Sequence, residues 1–222
     1  MKMEIRNNNA KKLWREALEY INTRGESFKD NDGRTCREVI NLVLCIEDVS
    51  NSKIDEPIKI ISDTKKLIYP SKEELSSIMF KKYQAPIYEY TYGGRIFGFA
   101  GVKDQINDFI IPLLRKDQNT RRAIMVLYNP AQDSDISNKN TPGIIYIQFR
   151  LKNKKLDMTS TIRSNDLLFG WPANIYQLYN LQQMVAEELK IETGDLVTIS
   201  NSAHFFEEDE EHLERAMGVS DE

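Results

Sequence analysis

The stretch Arg163-Ser164-Asn165-Asp166-Leu167-Leu168-Phe169-Gly170-Trp171-Pro172-Ala173-Asn174-Ile175 decides how this chain is read. It sets a cation, a hydroxyl, a carboxylate and an amide just before and at the start of a long helix. Pro172 suits the first position of that helix, which is expected to run to about Lys190. Ile175, Leu178, Tyr179, Leu181, Val185 and Leu189 recur at helical spacing and form its buried side. Two readings of the polar groups stand open. Arg163 and Ser164 are donors suited to a phosphate and the Asn174 amide suits a nucleobase edge. Alternatively, the segment is a strand-to-helix connection in which Asp166 caps and Arg163 pairs with it.

Working outward, Leu196 to Ile199 reads as a strand after the stop at Thr193-Gly194, and the acidic run Glu207 to Glu214 as a solvated helix face or tail. Upstream, Ile144–Leu151 and Leu156–Ile162 predict a hairpin turning at Lys152-Asn153-Lys154. Ile124–Tyr128 predicts a strand, and the polar stretch Gln132–Thr141 a loop. Asp104–Lys116 is helix-like but interrupted by Pro112, Ile87–Phe99 looks like strand and turn, and Pro70-Ser71 introduces a helix over Lys72–Lys82. Near the start, Asn8 and Asn9 cap a helix from Ala10 to Thr23 that ends at Gly25. Glu26–Arg34 reads as a loop around Asp32-Gly33, and Val39–Ile46 as a buried strand. With no internal repeat and no linker, residues 1–222 are expected to form one α+β domain, helices packed on a sheet.

With 222 residues, 41% of them apolar and 29% charged, the composition is that of an ordinary globular protein. The net charge of -4 gives no electrostatic basis for nucleic-acid binding. No apolar run reaches membrane-spanning length and no signal peptide opens the chain, so no membrane role and a cytoplasmic location are expected. Cys36 and Cys45 make no disulfide framework, and with His204 and His212 they do not make a zinc site of the usual composition. No glycine-rich phosphate loop and no nucleophile elbow is found; Tyr92-Gly93-Gly94-Arg95 is too short for one.

Arg-Ser-Asn-Asp, then a glycine, then Pro-x-Asn-Ile resembles the nucleotide-binding signature of thymidylate synthases and pyrimidine-nucleotide hydroxymethylases. The resemblance extends to Asp104-Gln105, Arg121-Arg122, Asn129-Pro130, Gln148-Phe149, Gly194-Asp195 and Ala203-His204-Phe205-Phe206, covering about 90–206. It implies a thymidylate-synthase-like α+β fold, a mixed sheet and a homodimer formed through that sheet. It further implies that Arg163 and Ser164 hold the phosphate of a pyrimidine nucleoside monophosphate, with Arg121 and Arg122 reaching the phosphate of the partner subunit. Asp166 belongs to the same signature. Arg34, with Arg37 as its rival, would be the phosphate-loop arginine. Four guanidiniums around one dianion predict a strongly cationic site. Asn174 would face the base, leaning toward uracil but adaptable to cytosine by an amide flip. His204 would meet the sugar, where Phe206 stands in place of the family's tyrosine and lacks its hydroxyl.

Two departures bear on chemistry. Where the family has Pro-Cys-His, five residues before the glutamine, this chain reads Pro142-Gly143-Ile144, so the nucleophile that attacks C6 is absent. Cys45 is expected to be inert core, whereas Cys36 lies beside Arg34, a setting that could lower its pKa. The chain as given stops soon after the match, and neither Trp14 nor Trp171 fits a folate pocket, so no methylenetetrahydrofolate is expected. The residues then imply a nucleotide-binding protein without the parental activity. The alternative is a reprogrammed enzyme acting on a bound pyrimidine nucleotide, by hydrolysis or altered C5 transfer, without a C6 thiolate. A purely structural dimer module is the third reading.

Overall fold

The computed structural model describes residues 4–63, 69–82 and 90–218. The chain falls into two compact units: Met1–Tyr69, Ile162–Tyr176 and Leu196–Glu222 in one, Pro70–Thr161 and Gln177–Asp195 in the other. Strands β6 (Lys155–Asp166) and β7 (Glu192–Phe206) and helix α7 (Gly170–Leu189) each contribute residues to both. The architecture is α+β, helices packed with a mixed sheet, as expected.

In the first unit, β1 (Glu4–Asn7) runs parallel to β3 (Thr35–Ile46), which pairs antiparallel with β7 in a register from Cys36↔Phe206 to Ile46↔Leu196. The order is β1-β3-β7-β6, with β2 (Glu26–Lys29) also on β3. Asn9 caps α1 (Ala10–Arg24) through its side chain, and Leu13, Trp14, Ala17, Leu18 and Ile21 are buried on the stripe that meets β3. Helices α2 (Glu56–Ser62) and α8 (Glu210–Met217) pack with α1. The stretch 26–34, expected as a loop, begins with β2. Its four residues are all exposed, so no apolar alternation marks it; backbone pairing to β3 alone makes it a strand. Likewise β7 extends far beyond the expected Leu196–Ile199, because its polar positions pair as readily as its apolar ones.

In the second unit the order is β6-β5-β4, with β4 (Ile124–Val126) antiparallel to β5 (Ile144–Lys152). Asn153 and Lys154, both at positive φ, make the expected hairpin turn. Ser71 starts α3 (Lys72–Phe80) in a full capping box with Glu74. Of the expected strand-and-turn 87–99, residues 87–89 lie outside the described residues, and Tyr92–Phe97 is instead helix α4, capped by Thr91. Its backbone packs against Lys81, so closely that a Cβ at Gly93 would lie 2.3 Å from the Lys81 carbonyl oxygen. That need, rather than a turn, explains the glycine. The helix-like 104–116 resolves into a π-turn, Ile106–Ile110, followed by α5 (Ile111–Lys116) with Pro112 in its first turn. The missing N–H therefore falls where the hydrogen-bond ladder changes. A short helix α6 (Pro130–Asp133) opens the polar stretch before β5. Among the described residues, no helix is long and apolar enough to cross a membrane.

Candidate functional site

The segment Arg163–Asn174 lies in the first unit and is anchored from three directions. The Leu167 N–H donates to the His204 carbonyl at 2.7 Å and the Trp14 indole N–H to the Leu167 carbonyl at 2.6 Å. The Tyr69 hydroxyl donates to the Phe169 carbonyl at 2.6 Å. Both tryptophans are wholly buried, Trp171 donating to Thr198 Oγ1 at 3.1 Å. Asp166 closes the turn from within, its Oδ1 accepting from the N–H groups of Leu168 at 2.9 Å and Phe169 at 3.1 Å. The capping half of the connection reading is therefore present. It does not displace the ligand reading, because strand alternation breaks just before it: Arg163 and Ser164 are both exposed, between buried Ile162 and Asn165.

Arg34, Asp166 and His204 come together. Arg34 pairs with Asp30 at 2.9 Å and lies over the Phe206 ring, 3.8 Å from its centroid, while that ring and His204 meet edge to face with centroids 5.4 Å apart. Burial pushes the Asp166 carboxyl up to about 6, the Leu168 and Phe169 N–H groups opposing and Asp209 adding to the rise. Burial also pushes the His204 imidazole below its ordinary value, against Glu38, which favours its neutral form. Ser202 Oγ lies 3.3 Å from His204 Nδ1. Arg37, the rival to Arg34, is committed elsewhere: it donates to Glu207 at 3.0 Å and to the Asn22 carbonyl at 2.8 Å. Asp30, Glu38, Asp166 and Asp209 surround Arg34 and His204, so this end of the site is rich in acid, not strongly cationic as expected.

The Asn174 amide donates to Asn165 Oδ1 at 3.2 Å, and the Asn165 amide donates to Ser200 Oγ at 2.9 Å. Asn165 and Ser200 were not singled out from the sequence. Their partners come from β7 and α7, and only the single-residue alternation around Asn165 hints that it turns inward. Tyr69 and Asp209 were missed for the same reason, their partners lying far away in sequence. Cys36 corrects an expectation. It is buried, and burial together with Asp30 pushes its thiol up, overriding Arg34. Cys45 is wholly buried as expected, with Arg6 Nη1 3.4 Å from its sulfur. Among the described residues, no group of three or more His, Cys, Asp or Glu could hold a metal ion.

The remaining candidates lie in the second unit. Arg121 and Arg122 are exposed ahead of β4, the Arg121 carbonyl accepting from Gln148 Nε2 at 2.9 Å. Gly143 precedes β5, and the next residue, Ile144, is wholly buried with its N–H donating to the Tyr92 hydroxyl at 3.3 Å. A phenol thus stands beside the backbone that follows Gly143. Tyr92 was seen only as part of a short glycine turn.

Known proteins resemble the chain over most of its length. The family profile described as Thymidylate synthase matches residues 77–219. A protein of Methanosarcina barkeri named "Putative thymidylate synthase" is 30% identical over 204 residues, spanning 92% of this chain and 89% of its own. One of the same name from Methanosarcina mazei is 30% identical over 213 residues, spanning 96% and 94%. Another, from Methanocaldococcus jannaschii, is 27% identical over 192 residues, spanning 82% and 81%. Matched over most of its length by the family profile and by such relatives, and built as an α+β fold around the Arg163–Asn174 segment, the chain belongs to the thymidylate synthase family.

Proposed function

We propose that the protein binds a pyrimidine nucleoside monophosphate of the dUMP, dCMP or CMP kind, without the cysteine-dependent chemistry of thymidylate synthesis. The observation that carries this reading is the anchored segment Arg163–Asn174, which presents two exposed donors beside a fixed carboxyl and a fixed amide. Arg163 and Ser164 take the phosphate, Asn174 the base and His204 the sugar. Arg34 exchanges Asp30 for the phosphate, leaving the Phe206 face as its resting platform. The working form is a cytoplasmic homodimer that supplies Arg121 and Arg122 across its interface. Folate has no part in it. With glycine at position 143 and both cysteines buried, no thiolate attacks C6.

Titration calorimetry with dUMP, dCMP, UMP and CMP tests the binding reading; heat from none of them would sink it. Arg163→Ala should weaken the best ligand at least about tenfold, as the loss of a charge-assisted phosphate contact does. Unchanged affinity would refute the phosphate assignment.

The second reading, catalysis on the bound nucleotide, draws on the Asp166 carboxyl, which at about 6 is poised to hold or release a proton near neutral pH. Release of tritium from C5 of labelled dUMP or dCMP requires a C6 adduct. None is expected. Release that survives Cys36→Ser and Cys45→Ser would show that another group replaces the thiolate.

A further inference from the structure

We propose that Asn165 and Ser200 form a buried relay that sets the sense in which Asn174 presents its amide, so that Asn165 determines which pyrimidine is accepted. This rests on the nucleotide-binding reading above and deepens it. Asn165 is 1% exposed and Ser200 is wholly buried, so their polar groups need partners inside the protein. Asn165 Nδ2 donates to Ser200 Oγ at 2.9 Å, and Asn174 Nδ2 donates to Asn165 Oδ1 at 3.2 Å.

A primary amide has an acceptor end and a donor end, and at a wet surface it can turn over at little cost. Asn174 is not free to do so. Turning it alone would set its carbonyl oxygen against that of Asn165. It can turn only if Asn165 turns as well and the Ser200 hydroxyl changes from acceptor to donor. The three side chains therefore move together or not at all.

The consequence falls on the base. With one N–H committed to Asn165, Asn174 keeps a carbonyl oxygen and a second N–H. The uracil edge offers a donor at N3 and an acceptor at O4; the cytosine edge offers an acceptor at N3 and donors at N4. The two bases require opposite senses of the amide, so a held sense matches one and sets like against like on the other. In the sense observed, the carbonyl oxygen receives uracil N3–H and the free N–H reaches O4. Asn165 touches no ligand itself. It is a positioning residue.

Calorimetric titration of dUMP and dCMP against the wild-type chain, Asn165→Ala and Asn165→Asp tests this. The wild type should prefer dUMP. Asn165→Ala should narrow the dUMP-to-dCMP affinity ratio by about tenfold, the effect of one misdirected hydrogen bond becoming tolerated. Asn165→Asp should keep the ratio, since a carboxylate accepts from Asn174 as the amide oxygen does, and from the Ser200 hydroxyl once that turns to donate. A change that merely loosened the fold would weaken both nucleotides alike and leave the ratio where it was. If Asn165→Ala does not fold, Ser200→Ala removes the far end of the relay and should narrow the ratio in the same way. A ratio unaltered by Asn165→Ala or Ser200→Ala, or a wild-type preference for dCMP, overturns the relay. Failure of the wild-type chain to bind either nucleotide overturns the nucleotide reading, and the relay's role with it.

Discussion

Asp166 carries two jobs that pull against each other. Its Oδ1 closes the turn before α7, which calls for an acceptor, while burial disfavours the charge that an acceptor carries at neutral pH. Its folded value of about 6 lies above the ordinary carboxylate value of about 4, so the folded chain keeps a proton that the unfolded chain has released between those pH values. Stability from this group is thus fully present at the acid end of that window and is lost as pH rises through 6, by about 3 kcal/mol in all. Asp166→Asn keeps the acceptor and removes the titration. Urea unfolding at pH 5 and pH 7.5 should show the variant gaining on the wild type by about 1 kcal/mol or more between the two. Parallel pH dependences would refute the assignment. From sequence, Asp166 could be read as a cap, since a side chain and the amides two and three residues on are local. Its raised pKa could not, because the packing over it and Asp209 come from elsewhere in the chain.

At the scale of elements, α4 separates local signal from packing demand. Two glycines and flanking aromatics argue for turn or strand, yet the helix forms because Gly93 lets its backbone lie on Lys81. Gly93→Ala would put a Cβ 2.3 Å from a backbone oxygen and 2.8 Å from the Lys81 nitrogen, neither of which can rotate away. A loss of about 2–4 kcal/mol is expected from such overpacking, seen as a lower urea midpoint at unchanged slope. Gly33→Ala, with φ of 82° but no heavy atom within 4 Å of the new Cβ, should cost only about 1 kcal/mol. Similar losses for the two would mean that backbone conformation, not packing, holds Gly93.

At the scale of the whole molecule, the dimer proposed here has a consequence that neither protomer alone would show. If Arg122 serves the partner's phosphate, Arg163→Ala and Arg122→Ala each spoil every site in their own homodimers. A mixed dimer regains one site intact. Equal amounts of the two variants, exchanged and then titrated with the best-binding nucleotide, should recover about a quarter of the wild-type sites, since half of the dimers are mixed and each has one good site. No recovery would place Arg122 in the same protomer's site or outside it. Light scattering on the wild type checks the dimer independently, a monomer at micromolar concentration refuting it.

The sequence by itself determined whatever a few neighbouring residues could decide. Asn9 and Ser71 start their helices because a cap needs only a side chain and an amide two or three residues on. The buried strand β3, the hairpin turn at Asn153-Lys154 and the apolar side of α7 follow from periodicity and turn chemistry of the same short range. The polar signature at Arg163–Asn174 was legible in the same way, as a list of groups at fixed spacing. Tertiary structure alone decided how those groups are used. It made a strand of the fully exposed Glu26–Lys29 by pairing it to β3. It tied Arg37 to Glu207, 170 residues away, and left Arg34 on the Phe206 ring. It raised the Cys36 thiol where its neighbour Arg34 suggested the reverse. It turned Asn165 inward to Ser200 and so restrained Asn174. Each of these depends on desolvation or on a partner distant in the chain, and those are properties of the packed interior that no local spacing encodes.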